Sequence, residues 1–316
     1  MENKFGLGTA AIGRPQYINI RQEKTATFSF EAFRQNGLNI LDDAYNKGVR
    51  YFDTSPGYGM AEQILIDWLR GKDDEEIEVA TKWGYTYVAD FNPLATQHEV
   101  KEHSLKKLDE QWEKSKSLLP FLSVYQIHSA TFETGVLDNI PVLRRLSSLR
   151  EEFGIVLGIT TSGANQVDVL HKAMNVEVDG KSLFDVFQVT YNVFDQDLVT
   201  VADEISKRNK RVVVKEALAN GRVFPNGDYP QHAKAYRVLI DLAKKYEVGV
   251  DAIALRFCMD SIPVFKVLSG AANEGHLSSN LEVAKFKLDE EDIMDLKTLS
   301  MPPKDYWDER KRLGWN

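Results

Sequence analysis

The chain has 316 residues, is 43% hydrophobic and 27% charged, and carries a formal net charge of -8. That length allows one large domain or two, and the negative balance excludes long-range attraction to nucleic acid or an anionic membrane, though not a local pocket for a phosphate. The single cysteine, Cys258, cannot form an internal disulfide, so a reducing compartment, the cytoplasm, is the expected location.

The opening run Lys4 to Gly13 reads as a short strand with close backbone approach at its glycines. Gly6-Leu7-Gly8 lacks the spacing of a dinucleotide fingerprint, because the next glycine is Gly13, and no helix is expected to open there. Arg14 to Thr27 reads as a loop. Apolar residues at helical spacing predict a helix over Phe28–Lys47, with Gly48 as its stop.

A strand over Val49–Asp53 follows, then a Ser-Pro-Gly turn, Tyr58-Gly59 and a helix to about Leu69. Strand Ile77–Lys82, an aromatic loop over Trp83–Pro93 and helix Thr96–Ser115 come next. Strand and helix then alternate: Leu122–His128, Val136–Glu152, Ile155–Thr160, Ala164–Met174, Val186–Thr190, Gln196–Asn209 and Val212–Lys215. Two helices over Ala233–Tyr246 and Asp251–Met259 lead to strand Val264–Leu268 and a helix ending near Ala284. One more helical segment precedes Pro302-Pro303.

Counting the first run, that makes eight strands with helices between most neighbours. Such alternation implies parallel strands with right-handed crossovers. Strands apolar on both faces, such as Val212-Val213-Val214, imply a sheet covered by helices. Eight units close into a single-domain α/β (β/α)8 TIM barrel, with an open doubly wound sheet as the competing architecture. The tail from about residue 286 is expected over the barrel mouth, where Tyr306, Trp307 and Trp315 are candidate caps. No run reaches the ~18 apolar residues of a membrane span, and no His/Cys/Asp/Glu spacing suggests a metal site.

In a parallel barrel the carboxyl ends of neighbouring strands lie side by side. Asp53, Lys82 and His128 end the second, third and fourth strands, so they should converge, with Tyr58 on the loop just after Asp53. Such a group can protonate a carbonyl oxygen. Tyr58 is the candidate acid, and a phenol of pKa about 10 gains acidity if a Lys82 ammonium lies close. Asp53 would hold Lys82 charged, and His128 would orient the substrate oxygen. Nothing in this set supplies a hydride, so a reduction needs a bound nicotinamide.

These segments resemble the aldo-keto reductases. The resemblance runs from Gly6-Leu7-Gly8-Thr9 to Asn280. Its most specific parts are Phe52-Asp53-Thr54 with Tyr58-Gly59 and Glu62, Ala80-Thr81-Lys82, and Tyr125-Gln126-Ile127-His128. It implies a catalytic tetrad of Asp53, Tyr58, Lys82 and His128 and a barrel that binds a nicotinamide cofactor without a Rossmann motif. The carboxamide would meet Thr160, Thr161 and Gln188, where the family commonly has Ser-Asn for the threonine pair. Lys215 stands where the family usually stacks an aromatic ring on the nicotinamide. A charged Lys215 there would disfavour the cationic oxidised ring.

The segment Gly270 to His276, leading to Asn280, looks like the family's adenosine-phosphate segment, at a helix start that suits an anion. Family versions place Lys or Arg there. This chain has Ala272 and His276, with Lys266 upstream, so NADP(H) is favoured with NAD(H) possible. Trp83, Tyr85 and Tyr17 are candidates for the substrate pocket. The expected activity is interconversion of a carbonyl (aldehyde, ketone or sugar lactone/lactol) and an alcohol. Alternatives are a cofactor-binding regulatory or scaffold subunit, or redox-neutral epimerase- or lyase-type chemistry.

Overall fold

In the computed structural model, which describes residues 4–16, 18–20, 29–92 and 94–315, the strands that build the barrel are nearly all buried. In chain order they are β1 (Phe5–Gly8), β2 (Tyr51–Asp53), β3 (Glu78–Trp83), β4 (Tyr85–Tyr87), β5 (Glu99–Lys101), β6 (Leu122–Ala130), β7 (Val156–Thr161), β8 (Glu177–Val178), β9 (Lys181–Ser182), β10 (Val186–Thr190), β11 (Arg211–Lys215) and β12 (Lys266–Ser269). Eight of them close a barrel in the order β1-β12-β11-β10-β7-β6-β3-β2, the expected architecture. The other four form two antiparallel hairpins, β4 with β5 and β8 with β9.

The helices are α1 (Ala10–Gly13), α2 (Phe30–Asn46), α3 (Ala61–Leu69), α4 (Leu105–Ser115), α5 (Ile140–Phe153), α6 (Gln166–Met174), α7 (Val199–Lys207), α8 (Ala233–Tyr246), α9 (Val250–Ser261), α10 (Glu274–Leu281), α11 (Glu290–Lys297) and α12 (Pro303–Lys311). No helix among the described residues is long and apolar enough to cross a membrane.

Strand parity decides what faces the barrel axis, because successive side chains point to opposite faces. A ring of Tyr51, Ala80, Val124, Val186, Val213 and Leu268 fills the interior. Two residues further along the same strands come Asp53, Lys82, Gln126, Gln188 and Lys215, so the next layer toward the carboxyl ends is polar. The intervening residues, such as Phe52, Val79 and Tyr125, join the larger cluster between sheet and helices.

The structure departs from the sequence expectations at four places. A helical turn, α1, does follow β1; at four residues it is too short to show a period. The aromatic loop is in fact strand β4, paired with β5 through Tyr85–Lys101 and Tyr87–Glu99. Helix α4 therefore starts at Leu105 rather than Thr96, capped by Ser104, whose hydroxyl accepts from Lys107 N at 3.1 Å. Beyond the one helical segment expected before Pro302-Pro303, Pro303 opens a further helix, since proline suits the first helical position.

The tail divides in two. Helix α11 lies on the flank, where Lys245 of α8 bridges Asp289 and Asp292 at 2.8 Å. Only α12 and the residues after it reach the barrel mouth.

Candidate active site

Asp53 and Lys82 form a buried ion pair at the heart of the polar layer, 2% and 0% exposed. The Lys82 ammonium donates to Asp53 Oδ1 at 2.5 Å and to the Thr54 carbonyl at 3.0 Å. The second carboxylate oxygen, Oδ2, accepts from Gln188 Nε2 at 2.8 Å and faces Gln126 Nε2 at 3.5 Å. A buried pair persists only when its remaining hydrogen-bonding capacity is met, and these two amides meet it.

Tyr58 is held over this pair by a backbone contact between two glycines. A Cβ on Gly13 would lie 2.1 Å from the Tyr58 carbonyl oxygen, and one on Gly59, at φ +64°, would lie 2.4 Å from the Gly13 carbonyl oxygen. Only glycine permits that approach, and Met60 N seals it by donating to Gly13 O at 2.8 Å. Helix α1 thus docks the turn that carries the phenol. The Lys82 ammonium is 4.9 Å from the Tyr58 ring centroid, and the Tyr58 and His128 rings meet edge to face at 5.5 Å.

The phenol's acidity runs opposite to the sequence expectation. Burial, then the Asp53 carboxylate, pushes Tyr58 well above the usual tyrosine value, with Arg14 opposing. Lys82 does not reverse this, because its charge is neutralised by Asp53 at 2.5 Å. The proton therefore stays on Tyr58 across the physiological range.

His128 is buried, and burial, followed by the charge of Lys82, pushes its pKa well below the usual histidine value, so the ring is neutral. Its tautomer follows from Ser55. Gly57 N donates to Ser55 Oγ at 3.1 Å, and the same oxygen lies 3.2 Å from His128 Nδ1. Ser55 is wholly buried, and among the described residues its hydroxyl proton has no other acceptor. The hydroxyl therefore donates to Nδ1, and the ring proton sits on Nε2 as a free donor.

On the cofactor side, the carboxyl ends of β7 and β10 present buried polar atoms that lack partners, Thr161 Oγ1 and Gln188 Oε1. An orphaned buried acceptor carries a desolvation cost that an incoming N–H donor removes. A nicotinamide carboxamide is such a donor, so these residues fit the group. Thr160 is committed differently: its hydroxyl oxygen accepts from Ser129 N at 2.7 Å. Lys215 closes β11 opposite Thr190 in register and donates to the Thr190 hydroxyl at 2.7 Å.

Beyond β12, Gly270 has open space where a Cβ would stand. Asn273 caps α10 by accepting from His276 N at 2.8 Å, and the His276 side chain is exposed. Asn280 is buried and bonded to the Ser269 hydroxyl at 2.7 Å. Lys266 does not join this segment. It begins β12 at the opposite end of the strand, with its ammonium over the Phe265 and Tyr51 rings at 5.0 and 5.6 Å.

Tyr85 flanks the site, its ring 4.7 Å from that of His128. Trp83 does not line the pocket: one residue past Lys82, it faces the helix layer by strand parity and is wholly buried beside His103. Tyr17 lies outside the described residues. The tail crosses the mouth: Tyr306 OH accepts from Asn192 Nδ2 at 2.9 Å, Arg310 clasps Glu216, and Trp315 stacks on His98 at 4.3 Å.

Four contributors escaped the sequence reading. Gln126 had a signal, since it shares parity with His128 two residues on. Ser55, Thr190 and Arg14 had none, because their roles depend on non-local partners. Arg14 donates to the Gly57 carbonyl at 3.0 Å and pairs with Glu99 at 2.9 Å, with its guanidinium 5.4 Å from the Tyr58 ring centroid.

The sequence profile of the Aldo/keto reductase family matches residues 4–300. Similar proteins include the NADH-specific methylglyoxal reductase of Escherichia coli (strain K12), 23% identical over 94% of each chain. The aryl-alcohol dehydrogenase GME11368 of Pestalotiopsis microspora is 22% identical over 84% of this chain and 73% of its own. Among solved structures, the glycerol dehydrogenase AKR11B4 from Gluconobacter oxydans superposes with a TM-score of 0.72 at 23% identity, covering 94% of this chain and 90% of that one. The holo form of aldo-keto reductase AKR11C1 from Bacillus halodurans gives 0.71 at 18% identity, covering 95% and 92%. The chain belongs to the aldo/keto reductase family and is an NAD(P)-dependent oxidoreductase of carbonyl and alcohol groups.

Proposed function

We propose that this chain reduces a small aldehyde or ketone, with Tyr58 as proton donor and His128 as the donor that orients the substrate oxygen. The observation that carries the reading is the convergence of the Asp53–Lys82 pair, the Tyr58 phenol and the neutral His128 ring at one end of the barrel. A bound nicotinamide supplies the hydride. The carbonyl oxygen takes a hydrogen bond from His128 Nε2–H, which fixes its position beside the phenol. As negative charge grows on that oxygen, Tyr58 releases its proton to it. The Arg14 guanidinium, 5.4 Å from the phenol ring and opposing the rise in its pKa, is the cation that favours the phenolate that remains, while Lys82 stays paired with Asp53. Burial, which keeps Tyr58 protonated, suits the reductive direction, because the acid must hold its proton until the alkoxide forms.

For the cofactor, Thr161 and Gln188 would hold the carboxamide. The adenosine end favours NAD(H). The first turn of α10 carries Glu274, itself 3.8 Å from Lys47, and no arginine or lysine stands between Gly270 and Asn280. With Lys266 at the far end of β12, the segment offers a 2′-phosphate the Glu274 carboxylate and its partner Lys47, whose charges offset one another. One similar protein is named an NADH-specific methylglyoxal reductase, which agrees with this reading.

The test is a titration of the protein with NADH and NADPH, then steady-state oxidation of each with a panel of small aldehydes and ketones. NADH oxidation dependent on the carbonyl is expected. Tight cofactor retention with no net oxidation would move the assignment to redox-neutral chemistry, and cofactor binding with no turnover would move it to a regulatory subunit.

A further inference from the structure

Three cations around the barrel mouth each have their own carboxylate. Lys82 pairs with Asp53 at 2.5 Å and Arg14 with Glu99 at 2.9 Å. Arg310 takes Glu216 with two nitrogens, at 2.5 and 3.0 Å. Lys215, like Lys101 over the Tyr85 ring, has none among the described residues, but Lys215 alone of the two ends a barrel strand. Its ammonium bonds the neutral Thr190 hydroxyl, and among the described residues it forms no ion pair. The adjacent Glu216 carboxylate, the natural partner, is already clasped by Arg310.

That ammonium, without an ion-pair contact among the described residues, emerges beside the strand that carries Gln188. Gln188 lies two residues before Thr190 on the same face of β10, and Thr190 is the register partner of Lys215. A carboxamide donor satisfying Gln188 Oε1 would bring its ring toward the ends of β10 and β11, where Lys215 emerges. The oxidised nicotinamide ring is a cation and the reduced ring is neutral. We propose that Lys215 sorts the cofactor by oxidation state, admitting the neutral reduced ring in preference to the cationic oxidised ring. The inference rests on the nicotinamide reading of this site.

Coulomb repulsion from an unpaired ammonium in a partly buried pocket acts on the oxidised form alone. Lys215 can also lose that charge. Burial, with Arg310 and Lys82 adding to it, pushes its pKa down to about 8, against the opposing pull of Glu216 and Asp195. Among the groups facing it, Glu216 is held at about 2 and is ionised throughout, while His128 is neutral throughout. Asp195, raised to about 7 by burial, titrates in a range that overlaps that of Lys215, so the Lys215→Met variant is the reference that separates the two.

The experiment is equilibrium titration of the full chain with NAD+ and with NADH, in wild type, Lys215→Met and Lys215→Arg. The ratio of oxidised to reduced dissociation constants is expected to fall about tenfold in Lys215→Met, the scale of one nearby charge, and to stay close to wild type in Lys215→Arg. In wild type the ratio should also fall as pH rises through about 8, while Lys215→Met keeps only the slope that Asp195 contributes. A ratio unchanged in Lys215→Met overturns the proposal and leaves the cofactor reading standing. Should that variant fail to fold, a flat wild-type ratio across the same pH range overturns it equally. Binding of neither form by wild type overturns the cofactor reading and the proposal with it.

Discussion

The arc β2–β3–β6 and the arc β10–β11 face each other across the barrel mouth, and they treat buried charge in opposite ways. On the first arc, the charges of Lys82 and Asp53 are met by each other and by the Gln126 and β10 Gln188 amides, although Gln126 Oε1 has no partner among the described residues, and the neutral His128 lies against Ser55. On the second, Lys215 has a hydroxyl for a partner, and Gln188 Oε1 and Thr161 Oγ1 have none. The contrast teaches which half is prebuilt. Groups that handle the proton are organised before anything binds, as electrostatic preorganisation requires. Groups proposed to hold the cofactor keep capacity open for it.

The sharpest way to break this comparison is to delete each lysine. Lys82→Met leaves Asp53 buried without its cation and should cost about 3–5 kcal/mol in urea unfolding at neutral pH. Adding Asp53→Leu should recover much of that loss, since the carboxylate that suffers is then gone. Lys215→Met removes a charge without an ion-pair contact and one hydrogen bond, so its unfolding free energy should stay within about 1 kcal/mol of wild type. Equal costs for the two deletions would erase the distinction between the arcs.

A smaller effect probes how His128 is set. Ser55→Ala removes the hydroxyl that donates to Nδ1, so the ring should lose its single tautomer. Nitrogen-15 NMR of the imidazole is expected to show one protonated and one bare nitrogen in wild type and a mixture in the variant. Turnover should fall about tenfold with KM little changed, as suits a group that orients a donor rather than one that supplies the proton. An unaltered imidazole spectrum would remove Ser55 from the account.

Much of the architecture was legible because it is local. Alternating short apolar runs and helical stretches announce the barrel. Strand parity then carries Asp53, Lys82 and His128 to the same end, whatever their partners. What was not legible depends on distant chain. The pairing of Tyr85–Tyr87 with Glu99–Lys101 turns an apparent aromatic loop into a hairpin. Trp83 reads as a pocket aromatic until its parity with respect to Lys82 is known. The acidity of Tyr58 was misjudged because sequence places an ammonium nearby but hides that Asp53 neutralises it and that burial dominates. Nothing in the local sequence announces that Gly13 docks the turn bearing Tyr58, since the contact is with backbone 45 residues away in the chain, the Tyr58 carbonyl 2.1 Å from a hypothetical Cβ.

The central claim is that the Tyr58 phenol, protonated and buried beside Lys82, delivers the proton. Single-turnover mixing of NADH-loaded protein with a small aldehyde, in wild type and in Tyr58→Phe, tests it directly. The account predicts unchanged NADH binding and a rate of NADH consumption lower by about 10²–10⁴ in Tyr58→Phe. A Tyr58→Phe protein that consumes NADH at the wild-type rate would contradict it.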